Sequence, residues 1–369
     1  MNRLILIGNG FDLAHNMKTG YEDFILYYLK SFLQKAMESP DCSYEDKMVK
    51  AIVLIKDLKS LNSIDSLTSI LEYKIIPKEF HRSNKVIPTI SRNDATKNFN
   101  FVVKSKFLDS LLNEFRFNKW VDFELFYFSI LKQNANNLEQ LEEINCSFEE
   151  LRIQLYIYIK LQQPKKLNPA FLKIFRSNLN IKFFHNTKIP YSLNPLPKET
   201  LFLNFNYTST INQYYTKYLI GENFTEILIH GDAHNTSNPI ILGYGDELNC
   251  EYKEILKGPP EGVKYFKNYW YAKTNNYAKL IEFIDNDYFE VLLIGHSCGS
   301  SDSVLLRTIV EHEKCSLLHI HKHITNHNKS NFFEIHHNLS KLITFEKQPI
   351  LRKLILDEVS SNIIPQVSD

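Results

Sequence analysis

Glycines and small polar residues recur in this chain at one kind of place, directly after short apolar runs. Gly8-Asn9-Gly10-Phe11-Asp12 follows Leu4-Ile5-Leu6-Ile7, and Asn204-Phe205-Asn206-Tyr207-Thr208 closes the run that starts at Leu201. His230-Gly231-Asp232 follows Ile227-Leu228-Ile229, and Gly243-Tyr244-Gly245-Asp246 follows Ile240-Ile241-Leu242. Gly295-His296-Ser297-Cys298-Gly299, with Asp302 behind it, follows the run from Phe289 to Ile294. Gly8 and Gly10 permit close backbone approach and positive φ, so amide N–H groups at a helix start can face a phosphate. Asp12 suits either a ribose hydroxyl or the cap of the next helix. The Asn206 amide can orient a ribose or a water, or close its strand in an Asx-turn. His230 is a candidate general base because imidazole titrates near neutrality, although a lone histidine at a strand end is commonly structural.

Two other patterns compete. Gly295 to Gly299 also fits the G-x-S-x-G elbow, with Ser297 as a hydrolase nucleophile and a later histidine as its base. Candidates for that base are His319, His321, His323, His327, His336 and His337. The elbow leaves the Gly8 turn, Asn206 and His230 unexplained. His319, His321 and His323 alternate along a strand and share a face, but no carboxylate or cysteine joins them at close spacing, so no metal is expected. Trp120, Phe123, Phe126, Tyr127 and Phe128 read as the core of a helical region. Within it Glu124 must face solvent or find a partner.

The elements that would position these residues follow from periodicity. Short runs that are apolar throughout are expected of parallel strands buried on both faces. Such runs at 4–7, 201–205, 227–229, 240–242, 289–294 and 317–320 alternate after residue 199 with the helical runs Ser209 to Leu219 and Ser303 to Val310. Strands alternating with helices imply crossover connections, so the strands' carboxyl ends share one edge where ligands bind. Between Tyr21 and Leu193 the pattern is helical. Thr19 and Glu22 stand at capping-box spacing, and periodic stretches follow at 48–61, 99–115, 120–131 and 148–161. The segment from Ile76 to Lys97, with Pro77 and Pro88, reads as a loop. The expected fold is α/β. Residues 1–20 and 195–330 form a mainly parallel core, 21–194 are a helical insertion, and 331–369 pack on the core.

Composition narrows the function classes. The 369 residues are 44% hydrophobic and 23% charged, ordinary globular values. Lys and Arg total 43 against 42 acidic residues, so the +1 balance gives no broad attraction to nucleic acid or anionic membrane. Five widely spaced cysteines without a CxxC pair argue against a disulfide framework or structural zinc, and fit a reducing cytoplasm. The run Leu4 to Ile7 is too short for a signal-peptide core, and no run reaches the roughly 18 apolar residues of a membrane span.

Leu6-Ile7-Gly8-Asn9-Gly10-Phe11-Asp12-Leu13-Ala14-His15 resembles the opening signature of the AbiH family. Trp120-Val121-Asp122-Phe123-Glu124 resembles that family's mid-chain segment, and Phe202 to Tyr207, Ile229 to Gly231 and Ile294 to Asp302 its later motifs. The resemblance implies abortive infection, in which an infected bacterium stops growing before phage spreads. The motif order is also similar, distantly, to the sirtuin-like NAD-binding fold. That likeness implies that Gly8, Asn9, Gly10, Phe11 and Asp12 line a pyrophosphate turn. Asn204, Asn206 and Tyr207 would sit by the nicotinamide ribose, with His230 as base beside Gly231. Gly295, His296, Ser297 and Asp302 would lie towards the adenosine. Thr208 stands where sirtuins carry an Asp, and the zinc-binding cysteine tetrad is absent, so NAD cleavage is expected rather than deacetylation. The alternatives are a non-catalytic nucleotide sensor and a serine hydrolase. Expected partners are NAD or a related nucleotide, a phage-derived trigger and further copies of the chain.

Overall fold

A strand that is apolar at every position has to be covered on both sides. In the computed structural model, which describes residues 1–53, 99–117, 122–184, 194–325 and 328–367, the apolar runs are central strands. In chain order the strands are β1 (Asn2–Ile7), β2 (Ser43–Glu45), β3 (Val49–Val53), β4 (Phe99–Val103), β5 (Thr200–Asn204), β6 (Phe224–Leu228), β7 (Phe289–Ile294) and β8 (Cys315–His321). Five of them form one sheet in the order β6-β5-β1-β7-β8, every neighbour parallel. Counted along the chain within that sheet the order is 3-2-1-4-5, which reverses direction between β1 and β7 as in a doubly wound sheet. The protein is therefore mixed α/β with a parallel core sheet.

Alternation along the strands divides the core into two layers. Leu4, Leu6, Leu203, Val291 and Leu293 pack in a layer with residues of the helices Asn276–Asn286, Ser303–Val310, Phe332–Leu342 and Gln348–Leu354. Ile5, Ile7, Phe202, Leu292 and Ile294 pack in the other, with Phe11, Phe171, Phe175, Tyr214 and Ile364. The tail after residue 331 is thus helical where it joins the first layer.

Several expectations change. Ile240 to Leu242 is no strand; the Ile241 amide donates to the His230 carbonyl and the run folds back as a loop. Of the helical stretch expected at 48–61, Val49–Val53 is β3, and the rest lies outside the described residues, as do Ile76 to Lys97 and Trp120. Phe99–Val103 is β4, and the helix begins only at Lys106. β-branched and aromatic residues dominate both stretches, and pairing chose strand. The helix Tyr21–Glu38 starts from Gly20 without a side-chain cap, because the Thr19 hydroxyl donates to Asn9 instead.

The chain divides into two compact units, Met1–Thr19 with Ile159–Asp369, and Gly20–Tyr158. Among its described residues the second contains four helical segments and an antiparallel sheet in the order β2-β3-β4, so it is not purely helical. Glu124, expected to need a partner, is buried there in the first turn of its helix, two residues after the Asp122 cap.

Residues 159–184, expected in the insertion, belong to the sheet unit, and a buried ion pair shows why. Arg3 on β1 and Glu290 on β7 face each other in register and are fully buried. Arg3 Nε donates to Glu290 Oε1 at 2.7 Å, and Nη1 to the carbonyl of Ser177 at 2.7 Å. Glu290 Oε2 accepts from the amide of Asn180 at 3.0 Å. The pair's remaining hydrogen-bonding capacity ties 175–180 to the sheet. Removing one partner strands a buried charge, so Glu290→Leu is expected to cost about 3–5 kcal/mol in urea unfolding. A loss below about 1 kcal/mol would mean the segment is held by its phenylalanines alone.

Candidate functional site

The tips of β1, β5, β6 and β7 lie on one edge, and their loops do converge. The contact between the first and last of them is backbone on backbone. A Cβ on Gly8 would lie 2.5 Å from His296 Cα, one on Gly10 2.7 Å from Gly295 Cα, and one on Gly295 2.3 Å from the Phe11 nitrogen. Gly295 also has φ +69°, a conformation costly for other residues. The Gly8 amide donates to the Ile294 carbonyl at 3.0 Å, and the Gly10 amide to the Gly295 carbonyl at 2.8 Å. The glycines thus seal two loops together. Their N–H groups are engaged within the protein, which corrects the expectation that they face a phosphate.

The other predicted residues fall into two groups, one on each side of the sheet's rim. On the side of Phe11, Asp12 is fully buried and accepts from the Thr208 hydroxyl at 2.7 Å and the Thr210 hydroxyl at 2.9 Å. It therefore neither caps a helix nor presents itself to a ribose. Burial raises its carboxyl to about 6, against the lowering effect of the two threonines. Asn204 donates to Glu226 at 2.9 Å. Burial also raises Glu226, to about 7, with Asp232 and Asp12 adding repulsion. Phe11 is core, edge-on to Phe171 with centroids 4.8 Å apart.

On the other side Asp302 is the centre. Lys267 Nζ lies 2.6 Å from Asp302 Oδ1, His230 Nε2 3.1 Å from the same oxygen, and His296 Nε2 3.5 Å from Oδ2. Tyr271 Oη is 3.2 Å from His230 Nε2, and the Phe205 ring stands edge-on to both imidazoles at 5.1 and 4.3 Å. The Cys298 amide donates to His296 Nδ1 at 3.0 Å, so that imidazole carries its proton on Nε2, towards Asp302. Burial pushes His230 down to about 4, and the Lys267 charge pushes the same way, outweighing Asp302. Burial alone would raise Asp302, but Lys267 and then His230 hold it well below the usual carboxylate range. At neutral pH the group is an ionised carboxylate, an ammonium and a neutral His230 that donates from Nε2. Its Nδ1 has no partner among the described residues and is left as a base.

Asn206 joins the two sides. Its Nδ2 donates to the Gly8 carbonyl at 3.1 Å and its amide to Asn204 Oδ1 at 2.9 Å, while Oδ1 has no partner among the described residues. Tyr207 Oη donates to the Ile241 carbonyl at 3.2 Å. Gly231 is packed against the Pro239 carbonyl, and Gly243 and Gly245 line the wall by Tyr265 and Ser303 rather than a strand tip.

Ser297 is exposed, and the loop's left-handed residues are Gly295 and Cys298, with φ +69° and +55°. An elbow would strain the nucleophile itself, so the geometry does not make Ser297 one. His319 and His321 are buried and stacked at 4.3 Å, whereas His323 is exposed. Among the described residues no group of three or more His, Cys, Asp or Glu is placed to hold a metal, and no helix is long and apolar enough to cross a membrane.

Sequence reasoning missed Lys267, Tyr271, Thr210 and Glu226. Lys267 had a signal: it is the one charge in Tyr265-Phe266-Lys267-Asn268-Tyr269-Trp270-Tyr271, and an ammonium in so aromatic a run needs a buried carboxylate. Asp302, expected near an adenosine, lies within ion-pair distance of Lys267 and His230.

The family described as "Bacteriophage abortive infection AbiH" matches residues 4–321, from the first strand to the last. No curated protein and no solved structure matches the chain.

The electrostatic account makes a directional claim. Lys267→Met should raise the His230 pKa from about 4 towards the ordinary imidazole value, whereas Asp302→Asn should lower it further. Imidazole NMR titration of the two variants measures both shifts. A His230 that titrates alike in both would show that Asp302 and Lys267 do not govern it.

Proposed function

The chain belongs to the AbiH family of bacteriophage abortive infection proteins, and we propose that it acts in that defence by cleaving the nicotinamide–ribose bond of NAD at the rim of its parallel sheet. The observation that carries the reading is the pairing of neutral His230 with ionised Asp302, beside Asn206 on the same edge. Carboxyl edges of doubly wound sheets are where such folds bind nucleotides, and the 3-2-1-4-5 order agrees with the distant sirtuin-like resemblance of the motifs.

The chemistry suits these groups. The C1′–N bond breaks with its electron pair going to the pyridinium ring, so nicotinamide leaves neutral and positive charge develops on the ribose. Water adds to C1′ and gives its proton to His230 Nδ1, yielding ADP-ribose, nicotinamide and a proton. Asp302 holds the imidazole in the tautomer that leaves Nδ1 basic and stabilises the imidazolium that forms. Asn206 Oδ1 accepts from a ribose hydroxyl or the water. The Asp302 carboxylate places negative charge near a centre that becomes cationic in the transition state. Loss of NAD halts the host, which is how an abortive defence protects its neighbours.

A sensor that binds the nucleotide without cleaving it uses the same rim. NAD measured through infection separates the two. With wild type, NAD should fall at least about 10-fold as cells stop growing, whereas His230→Ala should keep NAD and lose protection. Effective wild-type protection with NAD unchanged excludes cleavage, and protection retained by His230→Ala excludes the base.

A further inference from the structure

The rim has acceptors to offer and few free donors. The Gly8 and Gly10 amides, which would cradle a pyrophosphate, donate to Ile294 and Gly295. The two cations brought inward here are each matched: Lys267 lies 2.6 Å from Asp302, and Arg307 Nη2 lies 3.1 Å from Asp246. The helix Ser303–Val310 has its positive end towards the same region, but Asp302 precedes it as the N-terminal neighbour, so that partial charge already meets a carboxylate. Against this, Asn206 Oδ1 and His230 Nδ1 are acceptors without protein partners among the described residues, and Glu226, Asp12 and Asp232 lie on the other side of the rim.

We infer that the rim recognises its ligand through the hydroxyl donors and positive charge of a nicotinamide riboside unit, and that the phosphates contribute little to affinity. The inference rests on the proposed nucleotide reading and narrows it to one half of the molecule. Hydroxyl groups fit the two acceptors, and the pyridinium ring fits a region whose cations are neutralised while carboxylates remain. A pyrophosphate placed there would be desolvated against carboxylates with no arginine fork or amide nest to receive it.

Calorimetry on the full-length chain tests this with four probes: NAD, nicotinamide riboside, ADP-ribose and inorganic pyrophosphate, each at low and high salt. The expected result is that nicotinamide riboside binds within about 10-fold of NAD, a difference of at most about 1.4 kcal/mol. ADP-ribose should bind more weakly than the riboside, pyrophosphate should not compete, and salt should not weaken the riboside by more than its single charge requires. NAD binding about 100-fold more tightly than the riboside, or displacement of NAD by pyrophosphate, would overturn this inference and leave the NAD reading standing. If neither NAD nor the riboside binds, both fall. His230→Ala, titrated with the riboside, should weaken it, and an unchanged affinity would remove His230 Nδ1 from the proposed contact.

Discussion

Everything at the rim depends on two loops meeting without side chains between them. The turn after β1 and the turn after β7 approach until Gly8, Gly10 and Gly295 have backbone where a Cβ would stand. That approach sets the position of His296 behind Gly8, and through the following loop it sets Asp302. It also brings the Gly8 carbonyl within reach of Asn206. In a doubly wound sheet the loops flanking the reversal of strand order usually part to make a crevice. Here they close on each other, which makes the glycines architectural.

Around that seal, buried charge is arranged in two ways. At the far end of the sheet Arg3 and Glu290 are matched and hydrogen-bonded to backbone, an arrangement that fixes a segment and leaves no group available for chemistry. At the rim Asp302 serves Lys267, His230 and His296 at once, and the ammonium keeps the carboxylate ionised while burial keeps His230 neutral. A base needs such asymmetry: one ring nitrogen held by a carboxylate and the other available. Asp12 and Glu226 on the opposite side are carboxyls raised towards neutrality by burial, so part of their negative charge is lost as pH falls through 7 to 6. The sign is opposite for His230, which resists protonation until about 4.

Periodicity made the parallel core legible. Leu4 to Ile7, Leu201 to Phe205 and Phe289 to Ile294 are strands because a run without polar alternation has to be buried on both faces, and each was recognisable without neighbours. Ile240-Ile241-Leu242 shows the limit of that reasoning. Three apolar residues satisfy the pattern, yet they pair with no strand of the sheet and lie in a loop. Val49–Val53 and Phe99–Val103 failed in the other direction, since their pairing with each other joins segments far apart in the chain.

By itself the sequence determined the class of fold, the positions of the strand tips and the family, because these rest on local apolar runs and on motifs read in order. It placed Asn206, His230, His296 and Asp302 at the ends of strands or just beyond. Only the tertiary structure decided what they do there. Whether an amide faces a ligand or a neighbouring carbonyl, whether Asp12 meets a ribose or two threonines, and which carboxylate orients His230 are questions of distance between segments. Those segments are separated by tens to hundreds of residues. Hydrogen bonds and charge pairs act over a few ångströms, and sequence spacing carries no information on that scale until the chain has folded.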